Sequence, residues 1–382
     1  MPQIGKGIPM TNPLFSAFPG LSDKIPHCDF GTYPTPVERL TGLEKELGLT
    51  NLFIKRDDKS SDVYGGNKVR KLEFILGEAV KRKAAHTVAF GYAGSNFTLA
   101  AAVFAKRVGI SPVSMHLPQP NAAYVRKNLL YQKLIGAELH ELPNTAAVTL
   151  GTLAICGRCL VTTGRFPYII AAGGSSAVGV VGGMSGMFEL KEQIDRGLLP
   201  TPDVIYVTIG SSGTAASLAL GVRALGLPTL VRAVRVSDLA YASFKISKEL
   251  ADGAARILGR HEPSFRDMEI TTDNLQVVHG YLGDGYARFS RQGMAALGLV
   301  KKTDGIDLDG TYTGKTAAAM IDDARSGLLK GKTVLFWNSY NSVNIEKKIK
   351  GIDYRTLPKR YHRYFETPYQ PLEIVDRASP KV

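Results

Sequence analysis

The sequence predicts an α/β protein of two lobes, on three observations. Apolar runs of strand length alternate with amphipathic helical stretches along most of the chain, the 382 residues are 44% hydrophobic and 21% charged, and glycines gather where a strand gives way to a helix. Parallel neighbours in a sheet need a long crossover, and a covering helix supplies it. A chain of this size holds two or three domains' worth of core, which argues against disorder and against a minimal binding module.

In chain order, residues 35–47 place Val37, Leu40, Leu43 and Leu47 at near-helical spacing, with Pro36 suited to a first turn. Residues 51–54 form a short strand. Residues 86–92 are strand-like and run into a helix over 95–109; a strand at 111–117 precedes a helix over 123–137. A third unit runs from the strand 203–210 through Ser211–Thr214 into a helix over 215–226. Strands at 229–237 and 332–339 follow. The glycine-dense stretch 171–186 is the best crossing point between lobes. Residues 354–371, rich in Tyr, Pro and basic side chains and without period, read as a surface arm packed on its own or a neighbouring subunit, with binding of an anionic partner as the other reading.

Lys and Arg number 47 against 34 Asp and Glu, a net charge of +13. Such a balance suits nucleic acid, a membrane surface, acidic partners or one phosphorylated ligand. The basic residues are spread along the chain outside the arm and no nucleic-acid module signature appears, so nucleic acid is not expected as a partner. Cys28, Cys156 and Cys159 are too few and too uneven for a disulfide framework, which points to a reducing compartment. Cys156 and Cys159 have CxxC spacing but no second Cys/His pair for zinc, and their helical context suits packing, so no metal is expected. Residues 1–15 lack an uninterrupted apolar stretch after Lys6, and no segment has about 18 consecutive apolar residues. A cytoplasmic protein that does not span a membrane is the expectation.

Three glycine-rich segments carry chemistry. Gly210, Ser211, Ser212, Gly213 and Thr214 follow a strand and open a helix, where backbone N–H groups and the helix dipole favour a dianion. The loop lacks GxGxxG and the GK[ST] ending, so a small phosphorylated ligand fits better than a nucleotide; alone, it could equally be an ordinary strand-to-helix turn. Lys68 follows Gly65, Gly66 and Asn67 at another helix start, where the dipole and the cations Arg70 and Lys71 should depress its pKa, as Schiff-base chemistry requires. Lys71, four residues beyond Asn67, comes back over the helix start within reach of a phosphate. Gly94, Ser95 and Asn96 open a third helix and could hold a carboxylate or simply cap it.

Together GGNKVRKLEF preceded by FIKRDD, the Ser95-Asn96 pair, the GGSS of Gly173 to Ser176 and the GSSGT loop resemble the fold-type II pyridoxal-phosphate enzymes, which share the tryptophan synthase β-like fold. Within them the chain is similar to the branch of 1-aminocyclopropane-1-carboxylate deaminase and D-cysteine desulfhydrase, from about Tyr33 to about Asn341. The resemblance implies open, twisted, mostly parallel sheets covered by helices. It implies a larger cofactor-binding domain of residues 1–62 plus 180–382, a smaller α/β domain of 63–179, and a cleft site between them. It further implies that Lys68 binds pyridoxal 5'-phosphate covalently and moves the α-proton, that Lys71 and Gly210–Thr214 bind the phosphate, that Asn96 meets the phenolic oxygen and that Ser95 faces the substrate. Tyr286 and Tyr312 match the tyrosine pair that faces the substrate in the deaminase.

Thr313 occupies the position of the deaminases' glutamate against the pyridine nitrogen, as in desulfhydrase-like members. A hydroxyl supports a protonated nitrogen less than a carboxylate does, which tilts the expectation from cyclopropane opening to β-elimination. Two departures fall on the expected substrate side: Phe97 replaces a polar residue, and Trp337-Asn-Ser-Tyr-Asn341 replaces Thr-Gly-Gly. The implied function is a homodimeric lyase that eliminates and deaminates a small amino acid, with D-cysteine the lead substrate, giving hydrogen sulfide, pyruvate and ammonia. The alternatives are 1-aminocyclopropane-1-carboxylate deamination and a non-catalytic homologue that binds pyridoxal phosphate or another anion.

Overall fold

The computed structural model describes residues 12–373, so the first eleven residues of the amino-terminal run considered for targeting lie outside them. In chain order the strands are β1 (Val37–Arg39), β2 (Leu52–Lys55), β3 (His86–Tyr92), β4 (Ser111–Leu117), β5 (Glu138–Glu141), β6 (Tyr168–Ile170), β7 (Val204–Ile209), β8 (Leu230–Arg235), β9 (Leu275–Val278) and β10 (Val334–Trp337). The helices are α1 (Pro13–Ala17), α2 (Thr41–Leu47), α3 (Lys68–Lys81), α4 (Asn96–Arg107), α5 (Ala123–Leu134), α6 (Thr145–Thr163), α7 (Ala177–Asp195), α8 (Gly213–Ala224), α9 (Phe244–Gly259), α10 (Arg291–Asp304), α11 (Thr313–Arg325), α12 (Glu346–Ile349) and α13 (Arg363–Glu366).

The strands form two sheets, of order β1-β2-β10-β7-β8-β9 and β5-β4-β3-β6. All pairings are parallel except β1 on β2. Helices cover both faces of the larger sheet, which is why β7 and β2 are buried along their whole length instead of alternating. One face carries Met184, Leu218 and Ala254 from α7, α8 and α9, and the other carries Leu43, Val300 and Ile321 from α2, α10 and α11.

One sequence expectation changes, and two further segments gain detail. Residues 35–47 are not one helix: 37–39 form an edge strand, because Leu40 N–H donates to the Leu52 carbonyl and Arg56 N–H to the Pro36 carbonyl, drawing this backbone into the sheet. Leu40 and Leu43 still reach the core, so the apolar spacing was real and its period misleading. The glycines of 171–186 serve mainly helix packing. A Cβ on Gly182 would lie 2.3 Å from the Arg70 carbonyl oxygen, and one on Gly186 would lie 3.0 Å from the Trp337 ring. Only Gly173 and Gly174, with φ of 67° and 66°, make a left-handed turn next to the site. Finally, α6 is long and apolar enough by length and composition to cross a membrane. In the fold it lies along the smaller sheet, with Ile155 and Cys159 packed on Val113 and Met115, while Leu150, Leu153 and Val161 face outward.

The carboxy-terminal arm packs on its own chain. Leu357, Tyr361 and Tyr364 join Val125, Leu129 and Leu139 in an apolar cluster. The Tyr361 hydroxyl is 2.9 Å from His116 Nδ1, and Tyr364 donates to Glu141 at 2.6 Å.

Candidate functional site

A cavity of about 350 Å³ lies at the carboxyl ends of the strands of both sheets, where α/β folds gather loops and helix starts. Lys68, the first residue of α3, enters it from two glycines. Gly66 has φ of 96°, and a Cβ there would stand 2.7 Å from the Tyr340 carbonyl oxygen, so only glycine lets the two segments meet. Lys68 Nζ donates to Asn67 Oδ1 at 2.9 Å, and Asn67 Nδ2 donates to Thr214 Oγ1 at 2.7 Å. One amide thus ties the lysine to the glycine-rich loop. Burial pulls the Lys68 amine down to about 8, against the opposing charge of Asp309. The expected direction holds, and the cause differs. Arg70 points away from the cavity, its guanidinium bound to Asp57 and Glu189 at 2.8 and 2.9 Å.

Lys71 lies one turn on, with its ammonium buried and its pKa pushed well below the usual lysine range, first by burial and then by Lys68. Among the described residues its one hydrogen bond is a long one, 3.4 Å to the Gly173 carbonyl. The loop Gly210–Thr214 connects β7 to α8, and Ser212 holds φ of 63°, which turns successive N–H groups towards one point. Ser175 Oγ accepts from Gly213 N–H at 3.2 Å and donates to Ser211 Oγ at 2.9 Å. A Cβ on Gly213 would sit 2.6 Å from Ser175 Oγ and 2.8 Å from Lys71 Nζ, so the glycine keeps a cup open between a buried cation and a helix N-terminus.

Ser95 caps α4, its Oγ accepting from the N–H groups of Phe97 and Thr98 at 3.2 Å each. Its own hydroxyl proton is therefore left to point outward. Asn96 Oδ1 accepts from Asn128 Nδ2 at 2.8 Å and Tyr64 Oη at 3.3 Å, which leaves the Asn96 amide nitrogen as donor. Opposite, the hydroxyls of Tyr286 and Tyr312 are hydrogen-bonded to each other. Burial raises both pKa values and keeps both phenols protonated.

Lys68, Ser95, Asn96, Gly210, Ser211, Ser212, Thr214, Tyr286 and Tyr312 all line the cavity. Lys71 and Gly213 form the floor of the cup behind it. Thr313 is fully buried outside the lining, its hydroxyl donating to Asp309 Oδ2 at 2.9 Å. Phe97 reaches the cavity edge and would contact a Cβ on Gly174 at 3.0 Å. Of the late departure, Ser339, Tyr340 and Asn341 line the cavity, whereas Trp337 is a core residue whose indole N–H donates to Asp57 at 2.9 Å. Asp309 was missed. Its carboxylate accepts from the N–H groups of Thr311, Tyr312 and Thr313 at 2.9, 2.7 and 3.2 Å, fixing the start of α11, and burial raises its pKa. An Asp three residues before Tyr312 is a helix-start signal that would have found it.

Residues 29–339 match the family model described as "Pyridoxal-phosphate dependent enzyme". A Pyrococcus furiosus protein named "Putative 1-aminocyclopropane-1-carboxylate deaminase" is 30% identical over 83% of this chain and 92% of its own length. A Thermotoga maritima protein of the same name is 32% identical over 81% and 94%. A solved structure described as an ACC deaminase homologue superposes with a TM-score of 0.73 at 27% identity, covering 89% of this chain and 99% of that one. A pyridoxal 5'-phosphate-dependent aspartate racemase, at 15% identity and a TM-score of 0.58, shares the fold.

Proposed function

Because the chain belongs to the pyridoxal-phosphate dependent enzyme family, we propose that it is a lyase that eliminates and deaminates a small β-substituted amino acid. D-cysteine is the lead substrate; with one water it gives pyruvate, ammonia and hydrogen sulfide. The residues present fit the cofactor. Lys71 is a buried amine beside a cup that a Cβ on Gly213 would fill, and Lys68 is a half-buried amine lining the cavity in front of it. When bound, pyridoxal phosphate supplies an aldehyde for amines and an electron-withdrawing ring that stabilises negative charge at Cα.

The chain's own groups do the rest. Lys71 and the loop Gly210–Thr214 would hold the phosphate, and the Asn96 amide nitrogen would face the phenolic oxygen. Ser95 offers its hydroxyl proton to the substrate carboxylate. The amine of Lys68, lowered to about 8, is unprotonated in useful amounts near neutral pH and takes the α-proton. Between them Tyr286 and Tyr312 hold two protons and use one in their mutual bond. The other is available to the departing sulfur.

The observation that carries the reading is this opposition of a low-pKa lysine and a protonated tyrosine pair across one cavity. The relatives' names favour the second reading, 1-aminocyclopropane-1-carboxylate deamination to 2-oxobutanoate and ammonia. The resemblance favours the first, because Thr313 stands where the deaminases carry a carboxylate; in the fold its hydroxyl is engaged with Asp309 behind the cavity wall. The test is a screen of both enantiomers of cysteine, serine and their β-chloro analogues, with 1-aminocyclopropane-1-carboxylate, reading ammonia and oxo acid. The expected result is fastest release from D-cysteine. Release from the cyclopropane alone replaces the first reading by the second, and no release from any leaves a cofactor-binding homologue. Lys68→Ala should abolish turnover and the visible absorbance of the lysine-bound cofactor.

A further inference from the structure

The carboxy-terminal arm lies beyond the matched residues 29–339; most of its contacts are with the smaller unit, and its Gln370 reaches the loop that presents Tyr286. That loop has little regular structure of its own. Gly280, Gly283, Gly285 and Ala287 all have positive φ, and Ala287, at 59°, is a fully buried non-glycine residue immediately after Tyr286. A left-handed alanine persists only where its surroundings hold it. Gln370 bonds the backbone on both sides of residue 288, the next in the chain. Its Oε1 accepts from Phe289 N–H at 2.7 Å, and its Nε2 donates to the Ala287 carbonyl at 3.2 Å. A single side-chain amide thus brackets the two backbone groups flanking residue 288.

The bracket is anchored at its other end. Gln370 N–H donates to the Asn121 carbonyl at 3.1 Å. Asn121 Nδ2 donates to the carbonyls of Tyr364 and Thr367 at 2.9 and 2.8 Å, and Arg126 Nη2 donates to the Thr367 carbonyl at 2.7 Å. The arm is therefore fixed to the segment entering α5, in the unit of the smaller sheet. The loop it grips leads from β9 of the larger sheet to α10. The ring of Tyr286 is packed against Tyr92 at the end of β3, with centroids 4.4 Å apart. The loop thus has three ties to the smaller unit: its backbone through Gln370, the Tyr286 ring, and Phe289, which packs on the cluster that holds Val125 and Leu129.

We infer that Gln370 is a positioning residue for Tyr286, holding the Tyr286 loop against the smaller unit so that the Tyr286–Tyr312 pair faces Lys68. This rests on the role given to the tyrosine pair above. The test compares Gln370→Leu, Tyr286→Phe and the double variant as holoenzymes with wild type. Gln370→Leu keeps the bulk and removes both hydrogen bonds. Amide hydrogen exchange should quicken at least tenfold in peptides covering 283–292, with the cofactor absorbance unchanged. For D-cysteine, kcat should fall about tenfold with KM within about twofold. The double variant should be no slower than Tyr286→Phe, because Gln370 acts through that hydroxyl. Wild-type exchange in Gln370→Leu, or a double variant slower than Tyr286→Phe by the full effect of Gln370→Leu, would overturn the inference. Full activity of Tyr286→Phe, or no turnover of D-cysteine by wild type, refutes the proposed function instead, and the exchange measurement then decides alone whether Gln370 holds the loop.

Discussion

Replacing Lys71 by Met should have opposite effects with and without cofactor. The aliphatic stem of Lys71 packs beside Gly174 and Gly183, at 3.5 and 4.0 Å from where their Cβ atoms would be, and methionine keeps most of that packing. The ammonium is different. In the cofactor-free chain it is buried with one long bond to the Gly173 carbonyl, so its charge is desolvated with little return. Over a dianionic phosphate it makes a charge-assisted hydrogen bond, for which about 1.5–3 kcal/mol is usual, or about 10- to 150-fold in affinity. Titration of Lys71→Met apoprotein with pyridoxal phosphate, followed by visible absorbance, should show that loss, while the apoprotein melts at the wild-type temperature or slightly above it. The pH dependence has a definite sign. Burial holds the folded Lys71 pKa below its unfolded value of about 10.4, so the unfolded chain binds more protons and wild-type apo stability rises with pH through the interval between the two values. Lys71→Met should flatten part of that rise. Wild-type cofactor affinity, or an apoprotein that melts several degrees lower, would refute the reasoning.

Two further outcomes follow from the same geometry. In the apoprotein, reductive methylation of Lys68 followed by mass spectrometry should titrate with a midpoint of about 8; Asp309→Asn should move it lower, because the Asp309 charge is what raises it, and an upward shift would contradict this. Gly182→Ala places a Cβ against the Arg70 carbonyl, a backbone atom that cannot rotate aside, and should cost about 1–3 kcal/mol in urea unfolding while leaving the cofactor absorbance of the folded fraction unchanged.

The parts of the fold legible in the sequence are those where local pattern and burial agree. The strands β2, β3, β4, β7, β8 and β10 are short apolar runs, and β3, β4 and β7 each lead into a helix that the sequence also shows. β5, β6 and β9 were not picked out, because these three- and four-residue segments lack the all-apolar run that marks β2 or adjoin a helix or turn, and their strand character comes from docking onto β4, β3 and β8. β1 was hidden for a related reason: Val37, Leu40 and Leu43 satisfy a helical spacing, and edge pairing with β2 overrides it. At the site, the glycine-flanked lysine and the loop Gly210–Thr214 were legible because they need unusual backbone at fixed positions. Asn128 and Gln370 were not, because each acts by holding a group distant in sequence, which no motif reports, and Asp309 carries only the general helix-start signal of an Asp before α11, which does not mark a cavity residue.

The start of α3 shows how one turn of helix sorts three cations into two roles. With 3.6 residues per turn, Lys71 lies about 60° around the axis from Lys68 and Arg70 about 160° from it. Lys68 and Lys71 therefore share the face towards the cavity, and Arg70 takes the opposite one. There Asp57 and Glu189 receive Arg70, Glu189 also pairs with Lys55, and Asp57 accepts the Trp337 indole N–H. The carboxylates near α3 are thus engaged on its far side. On the cavity side Asp309 partly offsets Lys68, but it is already bound to three backbone N–H groups of the α11 start. Two amines with depressed pKa values, Lys71 buried and Lys68 half-buried, are left on one face, beside a helix N-terminus. They are costly to the empty chain and are suited to a ligand that brings both a dianion and a carbonyl.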